Sequence, residues 1–263
     1  MSLLEALLLG VVQGATEFLP ISSSGHLVMG QALLGVEVPG VSFEVAVHVA
    51  TLLSVLVVYR ERLTELVRGA WARERVAWRY MGLLVVATLP AAVLGLGAGD
   101  VLEELFEAPA VAGGALLVTG LFLWTSRGAL ARGPARTPTL GIALLMGLAQ
   151  SLALVPGISR SGATVVAGLW LGVEAEEAAA FSFLMAIPAI LGAAVLQAPD
   201  LAKGGVGMAP GPLLLGSGAA AVVGVLAIRV FIRMLRRKSF HRFGPYCWAA
   251  GGAFLLFLAL RGA

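Results

Sequence analysis

Cysteine occurs once in this chain, at Cys247, which excludes an intrachain disulfide and a cysteine metal cluster. Charge is also scarce. Asp, Glu, Lys and Arg make up 13% of the residues, against about 25% in ordinary globular domains. That is too little to solvate the surface of a soluble fold of 263 residues. No apolar stretch alternates with a period of two, so a membrane β-barrel is excluded as well. The net charge of +3 arises from where the basic residues sit and does not point to nucleic acid. Ahead of the first apolar run stands Glu5 and no basic residue, a poor match to a cleavable signal peptide.

What fills the chain is apolar sequence, at 59% of residues with a mean hydropathy of +0.94. One helical crossing needs ~20 apolar residues, and lipid admits only backbones whose polar groups are internally satisfied. The expected fold is an all-α polytopic membrane protein. Six apolar segments read as full crossings: 43–59, 80–97, 110–126, 178–197, 212–230 and 245–260. Segments 3–36 and 139–173 differ, because each breaks at a Pro/Gly/Ser stretch and leaves halves too short to span alone.

Those two interrupted segments resemble each other at a constant offset. Gly10-Val-Val-Gln13 answers Gly147-Leu-Ala-Gln150, Ile21-Ser22-Ser23-Ser24-Gly25 answers Ile158-Ser159-Arg160-Ser161-Gly162, and Gly35-Val36 answers Gly172-Val173. The pattern reads as a duplication within one transmembrane domain, 1–263. Its first repeat is 1–126, with a re-entrant hairpin at 3–36, and its second is 139–263, with a hairpin at 139–173.

Basic residues cluster in 60–79, 127–136 and 229–242, while 98–109 carries Asp100, Glu103, Glu104 and Glu107. The positive-inside rule places the three basic segments in the cytoplasm. They share that side only if 139–173 crosses an even number of times, as a re-entrant hairpin does. Three crossings separate the hairpins, so the repeats are inverted and the first hairpin dips from the outer face. Trp71, Trp78, Trp124, Trp248 and Tyr246 read as interfacial anchors, and Cys247 as packing.

The chemistry concentrates at the two breaks. Each is a helix, a turn and a new helix with serines at the expected N-cap, so each presents free N–H groups and a positive dipole end to an anion. Candidate phosphate-binding groups are Ser22, Ser24, Gly25, Ser159, Ser161, Gly162 and Thr164. Arg160 is the one basic residue between Arg136 and Lys203. Its intramembrane cost of ~2.5–3.5 kcal/mol implies a partner or a function, and its planar fork suits phosphate. Glu17, with Gln13 four residues earlier on the same helical face, is a candidate cation ligand, base or orienting partner of His26. His26 is a candidate general base, nucleophile or acid. Glu44 and His48, also four apart, are expected to face the interior, where they support the site or hold a cation.

At these residues the chain resembles the bacterial undecaprenyl-diphosphate phosphatase family, the bacitracin-resistance proteins. The resemblance rests on Gln13 to Glu17 with the following Phe-Leu-Pro-Ile-Ser-Ser-Ser-Gly-His26, on Pro156-Gly-Ile-Ser-Arg-Ser-Gly-Ala-Thr164, and on Ser42-Phe-Glu44-Val with His48. It covers essentially the whole chain. It implies hydrolysis of undecaprenyl diphosphate to the monophosphate, which recycles the lipid carrier of peptidoglycan synthesis and confers bacitracin resistance. It further implies a divalent cation (magnesium or calcium) and a homodimer in the bacterial inner membrane with its site toward the periplasm. By position, Glu17, Ser23, His26, Arg160 and Thr164 match the family's site. Many members have Glu where this chain has Gln13, so a cation here leans on Glu17 and the substrate's phosphates. The attacking group is Ser23, His26 or a water, with Ser23 assisted by His26 favoured. The rival reading is a carrier of the lipid monophosphate using the same anion site; the crossings are too apolar for an anion channel.

Overall fold

The structure, a computed structural model, describes residues 1–34, 42–130, 136–204 and 209–261. Gly35-Val36 of the duplication and Arg132 of the second basic segment lie outside these residues. Among the described residues the fold is wholly helical. Two helix–break–helix units stand out: α1 (Leu3–Phe18) with α2 (Ser23–Leu34), and α8 (Leu140–Leu152) with α9 (Arg160–Trp170). Around them run α3 (Ser42–Val58), α5 (Arg75–Gly97), α7 (Pro109–Leu130), α10 (Ala175–Gly204), α11 (Pro210–Arg236) and α12 (Phe243–Arg261). By length and composition five of these, α5, α7, α10, α11 and α12, suffice to cross a membrane.

Two helices stand where the sequence reads as loop. The first, α4 (Arg60–Trp71), leaves α3 at a bend of 79°. Counted as one broken span, the α3–α4 pair raises the number of crossings to six. The bend coincides with a change in composition: α3 is apolar to Val58, whereas α4 carries Arg60, Arg62 and Arg68, which are costly in lipid. The second, α6 (Gly99–Glu107), has four acids interleaved with Leu102 and Phe106. Its amphipathic pattern is too short to be separated from a loop by periodicity alone.

The three basic segments converge on the start of α10. Arg62 reaches Glu177 at 3.4 Å, Arg236 grips Glu176 with two bonds of 2.7 Å, and Arg136 exchanges backbone hydrogen bonds with Gly172 and Glu174. The same end of the bundle therefore receives the start of α8 and the end of α9. The first unit enters from the other end, where Leu3 adjoins Gly211 near the start of α11. Its α2 then returns alongside α1, with Gly30 next to Leu9.

Each unit packs its leading helix on a long helix from the other half of the chain, α1 on α11 and α8 on α5. Backbones approach so closely there that a Cβ on Gly10 would overlap the Gly216 backbone, and one on Gly147 would overlap that of Ala87. Small residues at such contacts are how helices without a hydrophobic driving force between them gain packing. An edge-to-face aromatic series, Phe18, Phe183, Phe231 and Phe240, fills the centre.

Candidate active site

Both breaks follow from local sequence. Helix α1 starts in a capping box in which Ser2 Oγ accepts from Glu5 N and Glu5 Oε2 accepts from Ser2 N. It stops two residues before Pro20, as a residue ahead of proline disfavours helix. Helix α8 is capped by Thr139 and ends ahead of Pro156. The restart is built alike in both units. Ser22 Oγ accepts from Gly25 N at 3.3 Å and contacts Ser24 Oγ at 3.3 Å. Ser159 Oγ accepts from Gly162 N at 3.1 Å and contacts Ser161 Oγ at 3.3 Å. The two turns also touch. A Cβ on Gly25 would stand 3.1 Å from Gly157 Cα, and Ser161 Oγ donates to Leu19 O at 3.3 Å.

At this junction Glu17 gathers four side chains. Its Oε1 accepts from Arg160 Nη2 at 2.6 Å, and its Oε2 accepts from Ser23 Oγ at 2.7 Å and Gln13 Nε2 at 3.0 Å. His48 Nε2 stands 3.6 Å from that same oxygen, while its Nδ1 faces Glu44 O at 2.7 Å. Glu17 and Gln13 are buried. Such a carboxylate is tolerable only with compensating charge and hydrogen bonds, and Arg160, Ser23 and Gln13 supply them while leaving Oε1 with room for a further partner.

A cavity of about 430 Å³ opens on this cluster. Its polar wall is Glu17, Ser22, Ser23, Ser24, His48, Gln150, Ser159 and Arg160. Its apolar wall comes from α5, α6 and α10, including Leu96, Phe106, Ile190 and Leu196, toward the end away from the basic segments. A second cavity of about 460 Å³, lined by Glu44, Val45 and Glu103, shares Ser24, His48, Leu102 and Phe106 with the first.

The structure thus brings Glu17, Ser23 and Arg160 together, with Ser22, Ser24 and Ser159 on the same wall. His26 is placed elsewhere. Its Nδ1 bonds Ser22 O and its Nε2 bonds Tyr246 Oη, both at 2.8 Å, and its ring stacks on Tyr246. It lines neither cavity, and the hydroxyl of Ser23 points to Glu17 rather than to it. Gly25, Ser161 and Gly162 sit in the contact between the turns. Thr164 is buried and bonds Ser182 at 2.6 Å, fastening α9 to α10. Glu44 lines the second cavity, His48 both.

Three supporting residues escape a reading by motif. Thr119 accepts from Ser159 N at 3.0 Å and donates to Gly157 O at 2.9 Å, pinning the second turn to α7. Ser182 anchors Thr164. Tyr246, which resembles an interfacial anchor in sequence, holds His26. Gln150 was visible as the counterpart of Gln13, with no sign of where its side chain would face.

For a divalent cation the cavity offers Glu17, and among the described residues no cluster of three His, Cys, Asp or Glu side chains could enclose one. Gln13 gives its nitrogen to Glu17, so its oxygen is turned from that carboxylate. The donor set fits an ion held by one carboxylate and completed by substrate phosphates and water, as magnesium commonly is.

Fold and site define a polytopic helical membrane protein with an arginine–carboxylate–serine centre at the junction of two broken helices. The model of the family described as bacitracin resistance protein BacA matches residues 6–253, and the chain belongs to that family. It is 44% identical to the undecaprenyl-diphosphatase of Salinibacter ruber, over 94% of this chain and 96% of the relative. To that of Desulfosudis oleivorans it is 43% identical over 96% and 97%, and to that of Desulfatibacillum aliphaticivorans 39% over 96% and 98%.

Proposed function

We infer that the chain hydrolyses undecaprenyl diphosphate to undecaprenyl phosphate and inorganic phosphate, returning the lipid carrier to peptidoglycan synthesis and conferring bacitracin resistance. The observation that carries this reading is the chain from Arg160 through the buried Glu17 to Ser23, opening on a cavity with one polar and one apolar wall. A diphosphate fits the polar wall, and the isoprenoid tail fits the apolar wall between α5 and α10. The carrier alternative finds no support among the relatives, which are named for the diphosphatase activity. A carrier would need Arg160 but not a hydroxyl aimed at a carboxylate.

In the proposed mechanism Arg160 and the N-terminal ends of α2 and α9 bind and orient the phosphates, so that positioning and charge supply most of the catalysis. Ser23 Oγ attacks the terminal phosphorus as its proton passes to Glu17. The new Ser23 Oγ–P bond forms while the bridging P–O bond breaks, releasing undecaprenyl phosphate. Water then attacks the phosphoserine, and Ser23 regains its proton as inorganic phosphate leaves. His48, beside Glu17, steadies the carboxylate, and His26 shapes the turn through Ser22 and Tyr246. When bound, magnesium or calcium at Glu17 neutralises phosphate charge.

The two broken-helix units are re-entrant hairpins of an inverted repeat, 1–126 and 139–263, set among six crossings. Their matching Ser–Gly hydrogen bonds and their entry from opposite ends support this reading. The gathered basic segments support a cytoplasmic position for that end, with the cavity toward the periplasmic side of the bacterial inner membrane. The family resemblance supports a homodimer as the working form.

The test is phosphate release from undecaprenyl or farnesyl diphosphate by purified protein in detergent, with magnesium or calcium and then with chelator. Release that depends on the metal and is lost in Arg160→Ala and Ser23→Ala is the expected result. A folded wild type that releases no phosphate overturns the reading.

A further inference from the structure

Gln150 is 3% exposed and lines the main cavity, yet neither its amide nitrogen nor its oxygen has a hydrogen-bond partner in the protein. A buried amide left in that state is costly, because its hydration is lost without replacement. Such groups are rare in folded proteins and call for an explanation. The duplication supplies one. Gln13, the counterpart of Gln150, spends its Nε2 on Glu17 four residues later. At the offset of 137 residues the counterpart of Glu17 is Leu154. The second unit therefore has the amide without a carboxylate at the matching position, which leaves a residue of the cavity wall with its hydrogen-bonding capacity unspent. A second unpartnered donor belongs to the same cavity: Arg160 gives Nη2 to Glu17, and its Nη1 is buried with no partner.

We propose that Gln150 is a substrate-binding residue of the polar wall, whose amide N–H groups donate to a non-bridging oxygen of the diphosphate. This rests on the diphosphatase reading. An amide there adds donors without adding charge. Arg160 supplies the attraction to the anion and Gln150 its register. Only one of the two homologous glutamines does this, because Gln13 is committed to orienting Glu17.

The experiment uses the full chain in detergent, wild type beside Gln150→Leu and Gln150→Glu. Three quantities are measured: kcat and KM on farnesyl diphosphate, affinity for its non-hydrolysable methylene-diphosphonate analogue, and melting temperature. Leu keeps the bulk and removes both polar atoms. Losing a hydrogen bond to a charged ligand predicts a ~10–100-fold weaker analogue affinity and a matching rise in KM. The melting temperature of Gln150→Leu should be unchanged or higher, because no protein partner is orphaned. Gln150→Glu, which sets a carboxylate against the phosphates, should bind still more weakly. Unchanged analogue affinity and KM in Gln150→Leu overturns the proposal. So does a lowered melting temperature with wild-type kinetics in the folded fraction, which would assign Gln150 to the scaffold. The analogue arm is read even from protein that hydrolyses nothing, so failure of the diphosphatase reading is distinguishable from failure of the Gln150 assignment.

Discussion

Glu17 and Arg160 are 143 positions apart in sequence and joined by a 2.6 Å bond between Oε1 and Nη2 inside the bundle. Each removes the other's reason to be excluded from an apolar interior. Breaking a buried pair by deleting one partner costs ~3–5 kcal/mol, whereas replacing both is often neutral. Glu17→Gln and Arg160→Met should each lower the melting temperature, and the double variant should recover most of the loss. Activity should not recover. Phosphate release should fall by ~10²–10⁴ in Glu17→Gln, the range for loss of a general base, and stay low in the double variant. Additive melting losses would show that the pair contributes nothing to stability.

Ser23 Oγ donates to Glu17 Oε2 at 2.7 Å, which poses the hydroxyl as the attacking group. Ser23→Ala should remove hydrolysis while leaving the melting temperature within about 0.5–1.5 kcal/mol of wild type in equivalent stability, the net worth of one hydrogen bond. Rapid quench of wild type with substrate, followed by peptide mass spectrometry, should find phosphate on Ser23. Turnover without a phosphorylated serine at any quench time would reassign the attack to water.

Tyr246 Oη and His26 Nε2 are 2.8 Å apart, with the rings stacked. If His26 acts through the shape of the turn, Tyr246→Phe should reduce kcat only several-fold, the worth of ~1 kcal/mol. His26→Asn should cost less than Glu17→Gln in the same phosphate-release assay. A His26 variant as inactive as Ser23→Ala would bring the histidine into the chemistry.

Gln13 turns its nitrogen to Glu17, leaving a single carboxylate for a cation. Gln13→Glu should lower the magnesium concentration needed for half-maximal activity, since a second carboxylate strengthens a hard-cation site. Glu17→Gln should abolish the cation response, and chelation should silence wild type reversibly. A magnesium titration of phosphate release checks all three. An unchanged midpoint in Gln13→Glu would place the cation away from this helix face.

Much of this protein was written in its composition and spacing. Long apolar runs cannot avoid lipid, and lipid leaves helix as the way to satisfy the backbone, so the class followed from hydropathy alone. Pro20 and Pro156 marked the two breaks, and the serines after them marked the restarts. The 137-residue echo tied the breaks to one another. Motif resemblance pointed to Glu17, Ser23 and Arg160 as site residues, and the expense of charge in an apolar segment marked Glu17 and Arg160 independently.

Tertiary structure decided what each of those residues faces. Spacing alone gives no direction to His26, whose ring turns to Tyr246, a residue 220 positions away. It likewise leaves open whether Gln150 meets a partner as Gln13 does; packing of α8 on α5 set it on the cavity wall instead. The bend into α4 and the amphipathic cover of α6 were hidden because short charged helices carry the same composition as loops. Local preferences are read from neighbours along the chain. The chemistry of a site depends on contacts between distant segments, whose geometry is set by packing the whole bundle at once.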